Sequence, residues 1–167
     1  MGLYDSWAFK RTLTLDTTVS GADVASTQSN FPVLLRITAT EMDFSQADTN
    51  GEDVRFTNDA EDTDLDFEIE RWDSGSSLAE IWVRVPSVVG NNTTDIKMFW
   101  GKSGQSTDSN PENTFRSADS FEGVWHFNDA SAPVLDATSN SNDFVEGTAP
   151  DYAQTALIGK GLHFDQT

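Results

Sequence analysis

Asp66-Phe67-Glu68-Ile69-Glu70 sets three carboxylates at alternate positions along the chain. Side chains alternate across a β-strand, so a strand here would line all three acids on one face. A retaining glycosidase needs two carboxylates about 5–5.5 Å apart, one protonated as the acid and one ionised as the nucleophile. Glu68 and Glu70 are the candidate pair for that chemistry. The same alternation also fits a plainer account, with Phe67 and Ile69 in a core and the acids in solvent. Arg71 then falls on the inward side or at an edge, so simple alternation does not carry the whole run.

Aromatic side chains offer a second chemistry. A pyranose ring presents an apolar C–H face that stacks on an exposed Trp or Tyr. Trp72, Trp82, Trp100 and Trp125 all sit in or beside strand-like runs. Large aromatics in sandwiches also serve as core, and Trp82, between Ile81 and Val83, fits that role. Trp72, next to Asp73 and a Gly/Ser turn, is the best candidate platform, followed by Trp100 before Gly101.

Acidic loops offer a third. Ca2+ takes about six to eight oxygen ligands at roughly 2.3–2.6 Å. Asp48, Asn50 and Glu52 supply such oxygens in one loop, Asp59 and Asp62 in the next, and Asp136, with Asn140, Asn142 and Asp143, in a third. None follows the EF-hand spacing, and a solvated acidic turn explains each loop equally well. His126 and His163 lie in apolar runs without a third ligand nearby and read as packed or edge histidines. The sequence carries no Ser-His-Asp signature, phosphate loop or dinucleotide fingerprint.

These residues must be positioned by β-strands. Residues 7–16 (WAFKRTLTLD) alternate, and residues 31–37 (FPVLLRI) follow a Ser/Thr/Gly loop, with Pro32 read at the strand start. Further strand-length runs cover residues 54–57, 65–72, 79–85 and 95–100, separated by turn clusters such as Ser74-Gly75-Ser76-Ser77 and Gly90-Asn91-Asn92. Short strands at this spacing with hardly any helical stripe predict an antiparallel β-sandwich, jelly-roll-like in character. Residues 101–112 (GKSGQSTDSNPE) read as a boundary, with a short helical turn within residues 113–120. Strands at 124–127 and 161–164 are expected after it. The expected organisation is a β-sandwich over residues 1–115 and a partial second β domain over residues 116–167.

Composition narrows the function classes. Twenty-eight acidic residues stand against ten Lys+Arg, a net charge of -18, which repels phosphate backbones and makes nucleic acid a poor partner. There is no Cys, so disulfides and thiolate metal sites are excluded. No stretch approaches the length of an apolar membrane span, so no membrane insertion is expected. Met1-Gly2 and the polar residues after it do not read as a signal peptide, so an export signal is expected outside this chain.

Six pieces in order carry a resemblance: WAFKR at residues 7–11, Asn30-Phe31-Pro32-Val33-Leu34, GEDVRFT at 51–57, FEIERWD at 67–73, IWVRVP at 81–86 and IKMFWG at 96–101. Over roughly residues 5–115 the chain resembles the bacterial and archaeal family named domain of unknown function 2341. Phe99-Trp100-Gly101-Lys102 stands where that family usually shows Tyr-Tyr-Gly-Asn, a departure that keeps the aromatic character. The remainder, with GVWHF at 123–127, DATSNSN at 136–142 and GKGLHF at 159–164, resembles the opening of a concanavalin-like, laminin-G-type lectin jelly roll. The two resemblances together imply a non-catalytic adhesion or carbohydrate-binding module of a large exported protein. It would act at the cell surface or outside the cell, stabilised by Ca2+, with a polysaccharide or cell-surface glycan and other domains of the same polypeptide as partners. Two other classes stay open. One is a glycoside hydrolase or its accessory domain using Glu68 and Glu70. The other is a structural spacer or filament subunit whose copies join by strand addition from the C-terminal segment.

Overall fold

The structure is a computed structural model that describes residues 1–145 and 150–164. The chain divides into two compact units, Met1–Asn110 and Pro111–Thr167.

The first unit holds six strands: β1 Phe9–Asp16, β2 Gln28–Thr38, β3 Arg55–Asn58, β4 Phe67–Asp73, β5 Leu78–Val88 and β6 Thr93–Trp100. They form two antiparallel sheets in the orders β1-β6-β3 and β2-β5-β4. Only β4 and β5 are consecutive neighbours in one sheet; every other connection in the unit crosses between sheets. That interleaving is what a jelly-roll-like sandwich requires, so the all-β antiparallel class holds.

Alternation decides which side chains meet between the sheets. Ile37 and Leu35 from β2, Phe67 from β4 and Ala79, Ile81 and Val83 from β5 face Phe56 from β3 and Ile96, Met98 and Trp100 from β6. Phe56 and Phe67 meet edge-on across the gap, with ring centroids 5.2 Å apart. Burial of this apolar surface is the main stabilising term of the unit.

The sequence places Pro32 at a strand start, but β2 begins at Gln28 and Pro32 lies inside it, opposite Arg84. The position is tolerated because β2 is an edge strand, where one side of the backbone needs no ladder partner.

The outer face of β1-β6-β3 is covered in part by the N-terminal segment. Tyr4 packs on Trp7 at 4.6 Å and on Phe99 at 5.4 Å. Lys102 Nζ lies 4.4 Å above the Trp7 ring, a cation–π contact. Arg55, nearly buried, donates to the carbonyls of Glu52, Val54 and Ser106 and pairs with Asp108 at 2.6 Å. Its planar fork thereby ties the segment after β6 back onto β3.

In the second unit, described through residue 145 and over 150–164, a short helix α1 spans Pro111–Thr114. Strands β7 Asp151–Thr155 and β8 Lys160–His163 pair antiparallel. The strand expected over residues 124–127 is not formed. Its backbone finds loop partners instead of a ladder: Val124 N–H donates to Asp136 Oδ1 at 2.9 Å and Val124 C=O accepts from Ala137 N–H at 2.7 Å. Phe127 then takes a left-handed φ of 55°, which ends any extended run. No helix among the described residues is long and apolar enough to cross a membrane.

Candidate functional site

Two aspartates cap the turns of the loop between β2 and β3. Asp43 Oδ1 accepts from Ser45 N–H at 3.0 Å, and Asp48 Oδ1 accepts from Thr49 N–H at 2.9 Å. Each starts a single 3-10 turn, Phe44–Gln46 and Thr49–Gly51. Asn50 and Gly51 both take positive φ, 58° and 71°. At Gly51 there is also no room for a side chain, since a Cβ would stand 2.7 Å from the Trp72 ring. Glycine is therefore what lets this loop close down on the indole.

The result is a depression of about 410 Å3, walled by Trp72 and Phe44 and rimmed by Ser45, Asp48, Thr49, Asn50 and Ser74. Phe44 tilts against Trp72 at 5.0 Å and braces the indole. An aromatic wall beside hydroxyl, carboxamide and carboxylate groups can stack an apolar ring face and hydrogen-bond its substituents.

Below the rim, Asp53 holds the loop in place. It is 0% exposed. Its Oδ1 accepts from Asp48 N–H at 2.8 Å, and its Oδ2 accepts from Gly101 and Lys102 N–H at 2.6 and 2.8 Å. Its carbonyl accepts the Trp7 indole N–H at 2.7 Å. Asp48 Oδ2 in turn accepts from Gly104 N–H at 2.9 Å, and the backbone donors of Gly104 and Thr49 hold its carboxyl below the usual range.

Trp72, Asp48 and Asn50, candidates for different ligands in the sequence, thus stand together in one site, with Glu52 half-buried just beyond it. Trp100 does not join them. At 6% exposure it is a core residue, stacked on Phe9 at 5.8 Å and donating its indole N–H to Gln46 Oε1 at 3.2 Å. Alternation on β6 puts it on the inward face with Ile96 and Met98, and its edge borders a different depression, lined also by Lys10, Arg11, Glu41 and Asp43.

Glu68 and Glu70 lie on the outer face of β2-β5-β4. Phe67 and Ile69 do point to the core, but Glu68 is buried at 8% exposure rather than solvated. A β-bulge between Ile69 and Arg71 leaves Glu70 as the extra residue, where it accepts a long bond, 3.4 Å, from the Trp82 indole N–H. The bulge also explains Arg71: it is shifted onto the same outer face, opposite Glu80. Glu80, at 0% exposure, lies between Arg36 at 2.8 Å and Arg71 at 3.3 Å. Arg36, Arg71 and Glu80 thus form a structural ion-pair triad beside the two acids.

The other acidic candidates stand apart from this site. Asp59 pairs with Lys97 at 2.8 Å. Asp62 accepts from Asn58 Nδ2 at 2.7 Å and from Thr63 Oγ1 at 3.0 Å, which lowers its pKa. In the second unit, Asp136 receives four donors: Val124 N–H, Thr138 N–H, Thr138 O–H and Asn142 N–H, all within 2.9 Å. Burial pushes its carboxyl up, but these bonds outweigh burial and leave it below the usual range. No group of three or more His, Cys, Asp or Glu among the described residues is placed to hold a metal ion.

Sequence reasoning missed Phe44, Ser45 and Ser74 as lining. Ser74 was within reach, two positions beyond Trp72 in the turn that follows β4. Phe44 and Ser45 carry no local signal, because only the fold of the loop brings them to Trp72.

Fold and site together define an all-β antiparallel sandwich domain with an aromatic-walled depression formed by the loop leading into β3. The chain belongs to the family described as domain of unknown function (DUF2341), whose model matches residues 50–139. The matched span takes in β3 to β6 and continues into the second unit, beyond the stretch whose motifs carry the resemblance. No curated protein and no solved structure matches the chain.

Proposed function

We propose that this chain is a non-catalytic carbohydrate-binding or adhesion module of a larger cell-surface or secreted protein, and that its glycan stacks on Trp72. The observation that supports the reading is the depression in which Trp72, braced by Phe44, faces Ser45, Asp48, Thr49, Asn50 and Ser74. A pyranose has both an apolar face for the indole and hydroxyls for the rim. The charge of -18 agrees with an exported protein and favours a neutral glycan over a polyanionic one. The lectin-like reading of residues 116–167 belongs to the same proposal.

Affinity gel electrophoresis of the full chain through a panel of soluble polysaccharides tests it. One neutral polysaccharide should retard the wild type, fail to retard Trp72→Ala, and retard Asn50→Gly less. Asn50→Gly removes the carboxamide while keeping the left-handed turn, so it separates binding from folding. Undiminished retardation of both variants, or no retardation of the wild type by any glycan, would overturn the reading.

A further inference from the structure

The turn between β5 and β6 carries a chemistry that the Trp72 depression does not use. Asn91-Asn92-Thr93-Thr94 holds two overlapping Asn-x-Thr triplets, and no other asparagine of the sequence has Ser or Thr two residues on. Such a triplet, without Pro in the middle, is the acceptor for N-linked glycans. A transferase must reach both the carboxamide and the hydroxyl two residues later. Asn91, Asn92 and Thr93 are all exposed.

The backbone of the turn is held by the segment between β1 and β2. Asn91 N–H donates to Val24 C=O at 2.8 Å, and Gly90 N–H donates to Thr27 Oγ1 at 3.1 Å. Asn92 C=O accepts from Thr17 N–H at 3.0 Å and from the Thr17 hydroxyl at 2.8 Å. Asn91 takes a left-handed φ of 48°, which Asn tolerates better than most residues.

The two triplets differ in what is left to react. In the second, Asn92 Oδ1 accepts from Thr93 N–H at 2.8 Å, and half-buried Thr94 accepts from Val89 N–H through Oγ1 at 3.0 Å. Its carboxamide and hydroxyl are both engaged in shaping the turn. In the first, neither the Asn91 carboxamide nor the Thr93 hydroxyl has a hydrogen-bond partner among the described residues. The first triplet alone presents both groups free.

The turn is also far from the depression. β5 runs from the Trp72 end, where Ala79 lies opposite that residue, to Val88 just before the turn. At about 3.3 Å per residue, about 30 Å of strand separates them. A hydrophilic chain on Asn91 extends into solvent and leaves the Trp72 wall open.

We propose that Asn91 is an N-glycosylation acceptor, an inference that rests on the export in the reading above. The donor class is an oligosaccharide linked through its anomeric carbon to a lipid phosphate or pyrophosphate. Asn91 Nδ2 forms the C–N bond to that carbon as the C–O bond to phosphate breaks. The lipid phosphate leaves with the electron pair, and the amide proton passes to a base of the transferase.

The test treats the folded full chain with a single-subunit oligosaccharide transferase that requires only the Asn-x-Ser/Thr triplet, together with its lipid-linked donor. Intact mass spectrometry and peptide mapping read the product. The wild type should gain one glycan, mapped to Asn91. Asn91→Gln and Thr93→Val should gain none, and Thr94→Val should be modified like the wild type. Thr93→Val keeps the β-branched shape and leaves the second triplet intact, so it tells the two triplets apart without disturbing the turn. An unmodified wild type would overturn the proposal, as would a glycan that survives Thr93→Val or maps to Asn92. Transfer in vitro does not depend on export, and Trp72→Ala should be glycosylated like the wild type. Failure of this site and failure of polysaccharide binding are therefore read on different residues.

Discussion

Replacing Asp53 by alanine should unfold the first unit more readily than any loss of surface charge would. The substitution orphans three backbone N–H donors, those of Asp48, Gly101 and Lys102, all of which now meet one buried carboxylate. Hydrogen bonds to charged groups contribute about 1.5–3 kcal/mol each, and neutral ones about 1 kcal/mol. Water can reach the partly exposed donors once the carboxylate is gone, so the lower figure is the fair one. Three bonds then give a loss of about 3 kcal/mol. For a domain of this size, 1 kcal/mol shifts the melting temperature by about 4–8 °C, so Asp53→Ala should melt at least about 12 °C below the wild type. Asp53→Asn keeps one acceptor oxygen and turns an NH2 toward the remaining donors, so it should fall between the two. Thermal unfolding followed by circular dichroism reads both variants. If Asp53→Ala melts within about 2 °C of the wild type, the size of a typical surface substitution, the clasp is not structural and the reasoning fails.

Acid should destabilise the chain below about pH 4. Hydrogen bonds from neighbouring hydroxyls, amides and backbone N–H groups hold Asp16, Asp43, Asp48, Asp62 and Asp73 below the usual carboxylate range. A carboxylate with a lowered folded pKa adds stability that is present above its unfolded pKa and is lost as pH falls through the folded value. Asp64, raised chiefly by burial, works the other way, losing its contribution as pH rises through its folded value, but it is one group against several. The melting temperature should therefore drop as the pH falls below about 4, as a pH series of thermal melts would show. For calcium, the carboxylates of Asp48, Asp62 and Asp136 already accept hydrogen bonds that a cation would have to displace. Millimolar CaCl2 should therefore raise the melting temperature no more than equal MgCl2, which reports only screening of the negative charge. A rise specific to Ca2+ and reversed by EDTA would instead make the acidic loops a metal site.

The sequence by itself determined the class. Period-two alternation and evenly spaced turn clusters are local properties of the chain, and they place all six strands of the first unit to within a few residues. Alternation also put Phe67 and Ile69 in the core, because the strand's own pleat decides that without reference to any partner. Only the tertiary structure decided what depends on residues distant in sequence. The bulge at Glu70, which brings Arg71 onto Glu80, is a register slip between two strands that neither strand records alone. Trp72 and Trp100 look alike in the sequence, each at the end of an aromatic-rich strand. One walls the depression by the Asp48–Gly51 loop, and the other packs among the core residues against Phe9 and Gln46 and meets only a different depression, beside Lys10 and Glu41. Residues 124–127 alternate like a strand but lack a ladder, because their backbone partners are the side chain of Asp136 and the loop that carries it. A strand needs a neighbour as well as a pattern, and the neighbour is supplied by the fold.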